Sequence, residues 1–181
     1  VDAETGRVKW KVETTPLKLT LTVGKEGVFF HDGQSVVCLD GEDGKQLWRS
    51  DALAANTSLN EAFGPTLVLQ DGVLLFASAE NWSFGSGAKD TLTALSAETG
   101  KKLWDAPHPP SGYASPEDTF VIDGMVWSSE CTSRGHTGTF IARDLKTGEV
   151  RASFPGNDGK HMPHHRCHRA KATERFFLMS R

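Results

Sequence analysis

The sequence predicts an all-β fold, namely part of a β-propeller built from four-stranded antiparallel blades. A short motif recurs four times, and each interval between its copies contains three further strand-like runs. No segment shows a sustained helical period. A β-sandwich also has many short strands, but its strands would not recur as a four-strand cassette with the same turn.

The recurring motif has the composition of a tight hairpin followed by an outer strand. Its first residue, Asp or Ser, can accept backbone N–H bonds across the turn, and a Gly four positions later supplies a positive φ. In three copies the strand ends in a Trp, which we expect to pack between neighbouring sheets. The fourth copy has no Trp and carries Phe154 further along. The motif residues that we assign to structure are Asp2, Gly6 and Trp10, then Asp40, Gly44 and Trp48, then Gly100 and Trp104, and finally Asp144 and Gly148.

The intervals between the motifs each contain three strand-like runs, which complete a blade of about 40–50 residues. Asp-Gly pairs at 32–33, 71–72 and 123–124 mark hairpins between runs. The runs are 18–23, 27–31 and 35–39, then 66–70, 73–78 and 91–95, then 119–122, 125–129 and 139–143.

We therefore interpret residues 1–181 as one propeller fragment and divide it into blades. Residues 1–13 contain the last strand of a preceding blade (7–12), three blades follow at 14–50, 64–106 and 117–155, and 164–181 begin a further blade, with 175–180 as its second strand. Such a piece leaves sheet faces and edges bare. We expect the remainder of the propeller, or a second copy of the chain, to cover them.

Composition excludes several classes of function. The formal net charge of -3 and the pI near 6.2 argue against a nucleic-acid partner, and no known nucleic-acid module is present. No apolar run approaches the roughly 20 residues of a transmembrane helix. Of the three cysteines, Cys38 lies in an apolar run and is predicted to be a buried small hydrophobe. Cys131 and Cys167 can pair only in an oxidising compartment, and the sequence does not supply their distance.

The motif copies at 2–10, 40–48 and 96–104 resemble the PQQ-like repeat, found in quinoprotein alcohol dehydrogenases and in an outer-membrane assembly lipoprotein of Gram-negative bacteria. The resemblance implies about half of a seven- or eight-bladed ring and an extracytoplasmic, periplasmic location in a bacterium. The family's dehydrogenases hold the quinone between a Trp and a vicinal disulfide, beside a calcium or lanthanide ion. This chain has no adjacent cysteine pair, which weakens the expectation of a quinone cofactor. The stretch 164–175 also resembles segments of large propeller proteins of planctomycete-type bacteria.

The densest polar cluster lies near the end of the chain. Imidazole and thiolate are common ligands of zinc, copper and iron, so this cluster is the candidate metal site. Its spacing matches no established zinc signature, and a solvated loop whose histidines bond backbone carbonyls remains the alternative. The candidate metal ligands are His161, His164, His165, Cys167 and His168.

Two long loops, 79–90 and 129–138, join the second and third strands of successive blades. Loops of this length in a compact domain are often functional. Aromatic side chains in the first can stack on a sugar or an aromatic ligand, or they can cap the core. Arginines near the chain end can pair with an anion or face solvent. The candidate ligand-binding residues are Trp82, Phe84, Arg134, His136, Arg166 and Arg169.

Three functions are compatible with these features. The first is a non-catalytic propeller that presents loops to a protein or carbohydrate partner. It is favoured because the repeat is complete and no recognisable set of catalytic residues accompanies it. The second is an oxidoreductase fragment that uses PQQ or a metal ion at the 161–168 cluster. The third is a regulatory or sensory domain of a larger enzyme. No catalytic or cofactor-binding residue can be assigned from the sequence.

Overall fold

Three successive four-stranded antiparallel sheets form the blades of the molecule. The structure is a computed structural model that describes residues 1–2, 4–55, 65–78, 90–108, 119–131, 137–155, 171–172 and 177–178. In each sheet the strands are hydrogen-bonded in sequence order, as in a propeller blade. The predicted all-β, partial-propeller architecture is confirmed.

The strand bounds follow the repeat closely. Blade 1 contains β1 (Thr22–Gly24), β2 (Gly27–His31), β3 (Val36–Leu39) and β4 (Gln46–Arg49); blade 2 contains β5 (Thr66–Gln70), β6 (Val73–Ser78), β7 (Asp90–Ser96) and β8 (Lys102–His108). Blade 3 contains β9 (Phe120–Ile122), β10 (Met125–Cys131), β11 (Thr137–Asp144) and β12 (Val150–Pro155). A separate antiparallel pair, β13 (Lys171–Ala172) and β14 (Phe177–Leu178), follows. No helix in the described residues is long and apolar enough to cross a membrane.

Two of the three predicted Asp-Gly hairpins are two-residue turns. Asp71 and Gly72 have φ values of 46° and 75°, and Asp123 and Gly124 have 51° and 69°. Positive φ at both central residues is the signature of the type I′ turn, whose twist matches that of the flanking strands. Asp32 and Gly33 instead belong to a four-residue connection between β2 and β3, in which only the Gly has a positive φ.

Two strand predictions near the start of the chain differ from the structure. The run 18–23 was expected to be a strand, but Leu19 has a φ of 63°, which ends extended structure there, and β1 begins only at Thr22. The run 7–12 forms no strand. A strand needs a hydrogen-bonded neighbour, and none of the described residues provides one for 7–12. The assignment of these residues to a preceding blade, and of 164–181 to a further one, stays a prediction.

The motif turns have the predicted local chemistry. The Asp144 carboxylate accepts hydrogen bonds from the backbone N–H groups of Thr147 and Lys146, each at 3.0 Å, and these bonds lower its pKa. The Asp2 carboxylate accepts bonds from the hydroxyl and the backbone N–H of Thr5, which lower its pKa in the same way. The motif glycines 6, 44, 100 and 148 all have φ between 69° and 76°. A side chain at these positions would strain the turn.

Consecutive blades are joined by the motif tryptophans. The indole N–H of each Trp donates to a backbone carbonyl in the next motif turn: Trp10 to Gly41 at 2.9 Å, Trp48 to Ala97 at 3.0 Å and Trp104 to Leu145 at 2.9 Å. The ring lies on the glycine of that turn, so closely that a Cβ would come within 2.7 Å of the ring at Gly44, 2.5 Å at Gly100 and 2.7 Å at Gly148. We call each of these Trp–Gly contacts a blade joint.

Blade 3 lacks the motif Trp and carries its large aromatic residue elsewhere. In blade 2 the cross-strand row facing the next blade is Leu75, Ala94 and Trp104. The corresponding row in blade 3 is Trp127, Ala142 and Ala152, so the indole has moved from the outer strand to the second strand. The Trp127 ring contacts the ring of Phe154 at a centroid distance of 5.8 Å.

The core lies between the blades as well as within them. Phe29, Leu74 and Phe76 are buried between blades 1 and 2, and Leu75 and Val126 are buried between blades 2 and 3. Cys38 belongs to the first of these clusters and has no exposed surface, which confirms its predicted role. Burial raises the pKa of the Cys38 thiol to about 11, so the group stays protonated at neutral pH.

Candidate functional site

The two ends of each blade are built from different connections. Because neighbouring strands are antiparallel, the turns between the first and second strands and between the third and fourth lie at one end, which we call the turn end. The connections between the second and third strands, and the linkers between blades, lie at the opposite end, which we call the loop end. The blade joints lie at the turn end, since each Trp reaches a motif turn.

At the loop end, the connection between the second and third strands differs from blade to blade. In blade 1 it is the segment 32–35, and in blade 2 residues 79–89 separate the strands. In blade 3 the predicted loop 129–138 is shorter than expected, because β10 and β11 extend into it and leave only 132–136, one residue more than in blade 1. The candidate residues Trp82, Phe84, Arg134 and His136 belong to these two longer connections. All four lie outside the described residues, so their role as ligand-binding residues stays a prediction.

A buried histidine organises the loop end of blade 1. His31 has no exposed surface, and its ring stacks on Phe76 of blade 2 at a centroid distance of 4.7 Å and an interplanar angle of 5°. Its Nδ1 accepts a hydrogen bond from the Gly33 N–H at 3.0 Å, so the proton is on Nε2, which donates to the Leu53 carbonyl at 3.0 Å. Both ring nitrogens are satisfied only while the imidazole is neutral. Burial lowers the pKa of His31 and favours that form.

The linker that enters blade 1 is fixed to the same histidine through its backbone. The Thr20 hydroxyl is buried, donates to the Leu17 carbonyl at 2.7 Å and accepts from the His31 N–H at 3.1 Å. The Leu17 N–H donates to the His31 carbonyl at 2.8 Å. This compact turn holds Leu19 in its left-handed conformation and leaves that side chain 60% exposed.

The short connection of blade 1 is braced by Asp32. Its carboxylate accepts bonds from the backbone N–H groups of Gln34 and Ser35, each at 3.0 Å, and pairs with the Arg49 guanidinium. Burial alone would raise the pKa of Asp32, but these three partners outweigh it and lower the pKa to about 2. Arg49 is at the end of β4, so the pair ties the connection to the outer strand.

These polar groups form a structural frame rather than a reactive centre. The only lone pair of a neutral His31 is used by Gly33, which leaves none for a metal ion or for proton abstraction. The described residues contain no group of three or more His, Cys, Asp or Glu side chains placed to hold a metal. The role of the frame is geometric, because it fixes the short connection and the entering linker at the loop end of blade 1.

The candidate metal site and the anion-binding arginines are not tested by the structure. His161, His164, His165, Cys167, His168, Arg166 and Arg169 all lie outside the described residues. The same holds for the pairing of Cys131 with Cys167, since Cys167 is among them. These assignments stay predictions.

The described residues do not fit the quinone arrangement expected from the resemblance. Trp10, Trp48 and Trp104 have their indole N–H groups bonded to backbone carbonyls and their rings packed on glycines at the blade joints. Trp127 contacts Phe154. The sequence also contains no vicinal cysteines. No step of quinone chemistry can be derived from these residues.

The fold and its Trp–Gly joints define the chain as a repeat β-propeller of the quinoprotein type. A family model described as "Outer membrane protein assembly factor BamB" matches residues 1–156. The chain belongs to this family of PQQ-type repeat proteins, as the resemblance predicted.

Comparison with solved structures supports the same fold. BamB from Moraxella catarrhalis superposes with a TM-score of 0.56 at 21% identity, over 84% of this chain and 45% of that chain. At this identity the match shows the fold alone. The chain spans less than half of that structure.

Two curated relatives are similar in sequence. Polyvinylalcohol dehydrogenase of Sphingopyxis sp. (strain 113P3) is 33% identical over 58% of this chain and 18% of its own length. The serine/threonine-protein kinase AfsK of Streptomyces coelicolor is 26% identical over 87% of this chain and 17% of its own. The chain thus spans less than a fifth of either protein.

Proposed function

We propose that the chain is a non-catalytic propeller scaffold that presents its loop end to a protein partner outside the cytoplasm. The observation that carries the proposal is the contrast between the two blade ends. The turn end is occupied by structural joints, whereas the loop end combines a rigid frame in blade 1 with a much longer connection in blade 2, 79–89, and with a connection in blade 3, 132–136, that is one residue longer than in blade 1. Such a platform is a common way to place binding residues.

The family assignment supports a protein as the partner. The matching family model is described as an assembly factor of the outer membrane, which is a function carried out among proteins at an extracytoplasmic site. Neither the described residues nor the comparisons supply an observation that favours the carbohydrate partner considered from the sequence. We therefore assign the loop end to protein recognition.

A loop-exchange experiment tests this proposal. Residues 79–89 are replaced by the four-residue connection Asp-Gly-Gln-Ser of blade 1, and a second variant replaces 132–136 in the same way. The matched control is the turn-end variant Lys101→Glu. Each protein is cross-linked in cell-envelope extract, and its covalent partners are identified by mass spectrometry.

We expect a specific envelope protein to be cross-linked to the wild-type chain and to Lys101→Glu, and to be lost from at least one exchanged variant. Circular dichroism confirms that the variants retain their β-sheet content. Retention of the same partner by both exchanged variants would contradict recognition at the loop end.

A dehydrogenase fragment is the second candidate, and the similarity to polyvinylalcohol dehydrogenase favours it. It requires a bound quinone or metal, which the 161–168 cluster was predicted to hold. Absorption spectra and metal analysis of the purified chain are compared with those of a variant in which His164, His165 and His168 are all Ala. A stoichiometric group present in the wild type and lost from the variant would replace the scaffold proposal with this one.

A further inference from the structure

Residues 51–55, which follow β4 at the loop end, form a strap over the core between blades 1 and 2. Leu53 and Ala55 are half-buried and pack against the buried cluster that contains Phe29 and Phe76. Release of this strap from the core would therefore uncover an apolar edge of the cluster at the loop end.

The strap is anchored at its start and clasped at one residue further along. At the start, the Ser50 N–H donates to the Val36 carbonyl at 2.9 Å, and the Ser50 hydroxyl accepts from the Val36 N–H at 3.0 Å. At the clasp, the Leu53 N–H donates to the Gln34 carbonyl at 2.8 Å, and the Leu53 carbonyl accepts from Nε2 of His31 at 3.0 Å. Ser50 is thus placed to act as a hinge and His31 as the side chain that holds the clasp.

The closed position of His31 accepts only the neutral ring. Its Nδ1 already accepts from the Gly33 N–H at 3.0 Å, so a proton on Nδ1 would set two N–H donors against each other. The ring also has no exposed surface and stacks on Phe76, which keeps a charge away from solvent. The imidazole can therefore take up a proton only by leaving this position, and that movement breaks its bond to Leu53.

The carboxylate nearest to the ring does not release its own hold in acid. Asp32 attracts a charge on His31, but it is already paired with Arg49 and with two backbone N–H groups. These partners lower the pKa of Asp32 to about 2. The connection 32–35 therefore stays braced at a pH at which His31 becomes protonated.

The other elements around the ring supply no buried charge to stabilise the imidazolium. Asp51 on the strap and Lys18 on the entering linker are both exposed to solvent. Blade 2 contributes the uncharged ring of Phe76. Protonation thus acts on the clasp through His31 itself.

We propose that residues 51–55 are an acid-released strap: protonation of His31 frees Leu53, and the strap swings out about Ser50 while the strands of blade 1 stay paired. Return of the neutral ring closes it. Opening changes the shape of the loop end, so recognition of a partner there becomes sensitive to pH. This last consequence rests on the proposed function, whereas the opening itself does not.

The direction of the pH effect follows from the form that binds the proton more tightly. Burial lowers the pKa of His31 in the closed form, below the 6.5 that the ring regains when it reaches solvent. The open form is therefore favoured as the pH falls below about 6.5, by up to about tenfold per pH unit, until the closed ring also titrates.

Amide hydrogen exchange of the wild-type chain tests the opening. The rates at Gly33 and Leu53 are divided by the intrinsic rates of unstructured amides, which removes the direct effect of pH on exchange. We expect the protection of both amides to fall by up to about tenfold per pH unit between about pH 6.5 and 5. Ala97, whose N–H donates to the Gly72 carbonyl at 2.9 Å at the turn end, is the internal control and should keep its protection.

Two variants separate titration of the ring from its structural role. In His31→Gln the side-chain amide can still donate to the Leu53 carbonyl but has no group that titrates in this range, so exchange at Leu53 should no longer depend on pH. Asp51→Asn is the matched control, because it removes a carboxylate from the strap and leaves the bonds of His31 intact. This control should keep the wild-type pH response.

Three results would overturn the proposal. One is constant protection of Gly33 and Leu53 across this pH range. Another is a fall that Ala97 shares, because acid would then unfold the whole chain instead of releasing the strap. The third is an unchanged pH response in His31→Gln.

The first two results come from the wild type, so the test does not depend on folding of a variant. The measurement also uses the chain without a partner. Its failure would therefore leave the loop-exchange test of the proposed function unaffected, and a failed loop exchange would not contradict the strap.

Discussion

The turn end and the loop end of the blades are built from the same strands but follow different rules. At the turn end, three tryptophans make nearly identical contacts with three glycines, and the motif residues repeat with little change. At the loop end, one blade has a four-residue connection braced by Asp32 and His31, while the others have longer connections. The repeated motif residues therefore indicate how the blades are joined. The connections that differ between blades indicate where function can vary.

The largest expected effect is the loss of a turn-end joint. Trp104 is 8% exposed and links blade 2 to blade 3, so Trp104→Ala removes both its packing and its bond to the Leu145 carbonyl. We expect the free energy of unfolding to fall by about 3–5 kcal/mol, measured by urea denaturation. Leu103→Ala on the same strand is the control, because Leu103 is 45% exposed and its truncation should cost less than about 1 kcal/mol.

The second effect tests the frame at the loop end. His31→Leu leaves the Gly33 N–H and the Leu53 carbonyl without their partner and removes the stack on Phe76, so we expect a loss of about 2–4 kcal/mol. A loss below about 1 kcal/mol in urea denaturation would show that the frame contributes little to the fold.

The same histidine gives the frame a pH dependence that the turn-end joints lack. Burial lowers the pKa of His31 below its ordinary 6.5, so the unfolded chain binds the proton more readily. The contribution of His31 to the free energy of unfolding is fully present above about pH 6.5. It is lost as the pH falls below that value, by at most about 1.4 kcal/mol per pH unit. The stability difference between wild type and His31→Leu should therefore shrink on acidification, and a constant difference between pH 7.5 and 5 (roughly) would contradict this account.

A smaller effect separates the conformational role of the motif glycines from their role in the joints. Gly148 and Gly6 have φ values of 74° and 69°, but only Gly148 lies against an indole. Gly6→Ala should cost about 1 kcal/mol through backbone strain alone. Gly148→Ala should cost at least about 1 kcal/mol more, because its Cβ displaces Trp104. Equal losses in thermal or urea unfolding would mean that the ring contact is unimportant.

The smallest effect concerns the ion pair that accompanies the first joint. Lys9 and Glu42 are 35% and 82% exposed, so their attraction is screened by water. Lys9→Gln should change the free energy of unfolding by less than about 1 kcal/mol, and added salt should reduce the difference further. A larger loss would show that the first joint depends on charge as well as on Trp10.

Much of the fold could be predicted from the sequence because its repeat encodes local and interblade contacts at once. The strands 27–31, 66–70 and 73–78 match the structure at both bounds. The expected strand at 18–23 failed because the Leu17–Thr20 turn depends on a hydrogen bond to His31, a contact between distant residues. The shift of the large aromatic residue from the outer strand to Trp127 in blade 3 was missed for a related reason, since a cross-strand row becomes visible only once the register is known.

The candidate site was less accessible to sequence reasoning. His31 is a single histidine in an apolar strand, and its role depends on Leu53, Gly33 and Phe76, which only the tertiary structure brings together. The one available signal in the sequence was a polar residue at the end of the apolar run Gly27–His31. The histidine cluster at 161–168 was predicted to be a metal site because of its composition, and that role stays a prediction.

The most direct test of the account is a double-mutant cycle between Trp104 and Gly148, which asks whether the blade joint is one interaction. Urea denaturation is measured for the wild type, Trp104→Ala, Gly148→Ala and the double variant. We predict strong coupling: once Trp104 is truncated, Gly148→Ala should cost no more than Gly6→Ala, because the added Cβ then has space. Additive losses in the double variant would show that the two residues act independently, and would contradict the Trp–Gly joint as the element that holds the blades together.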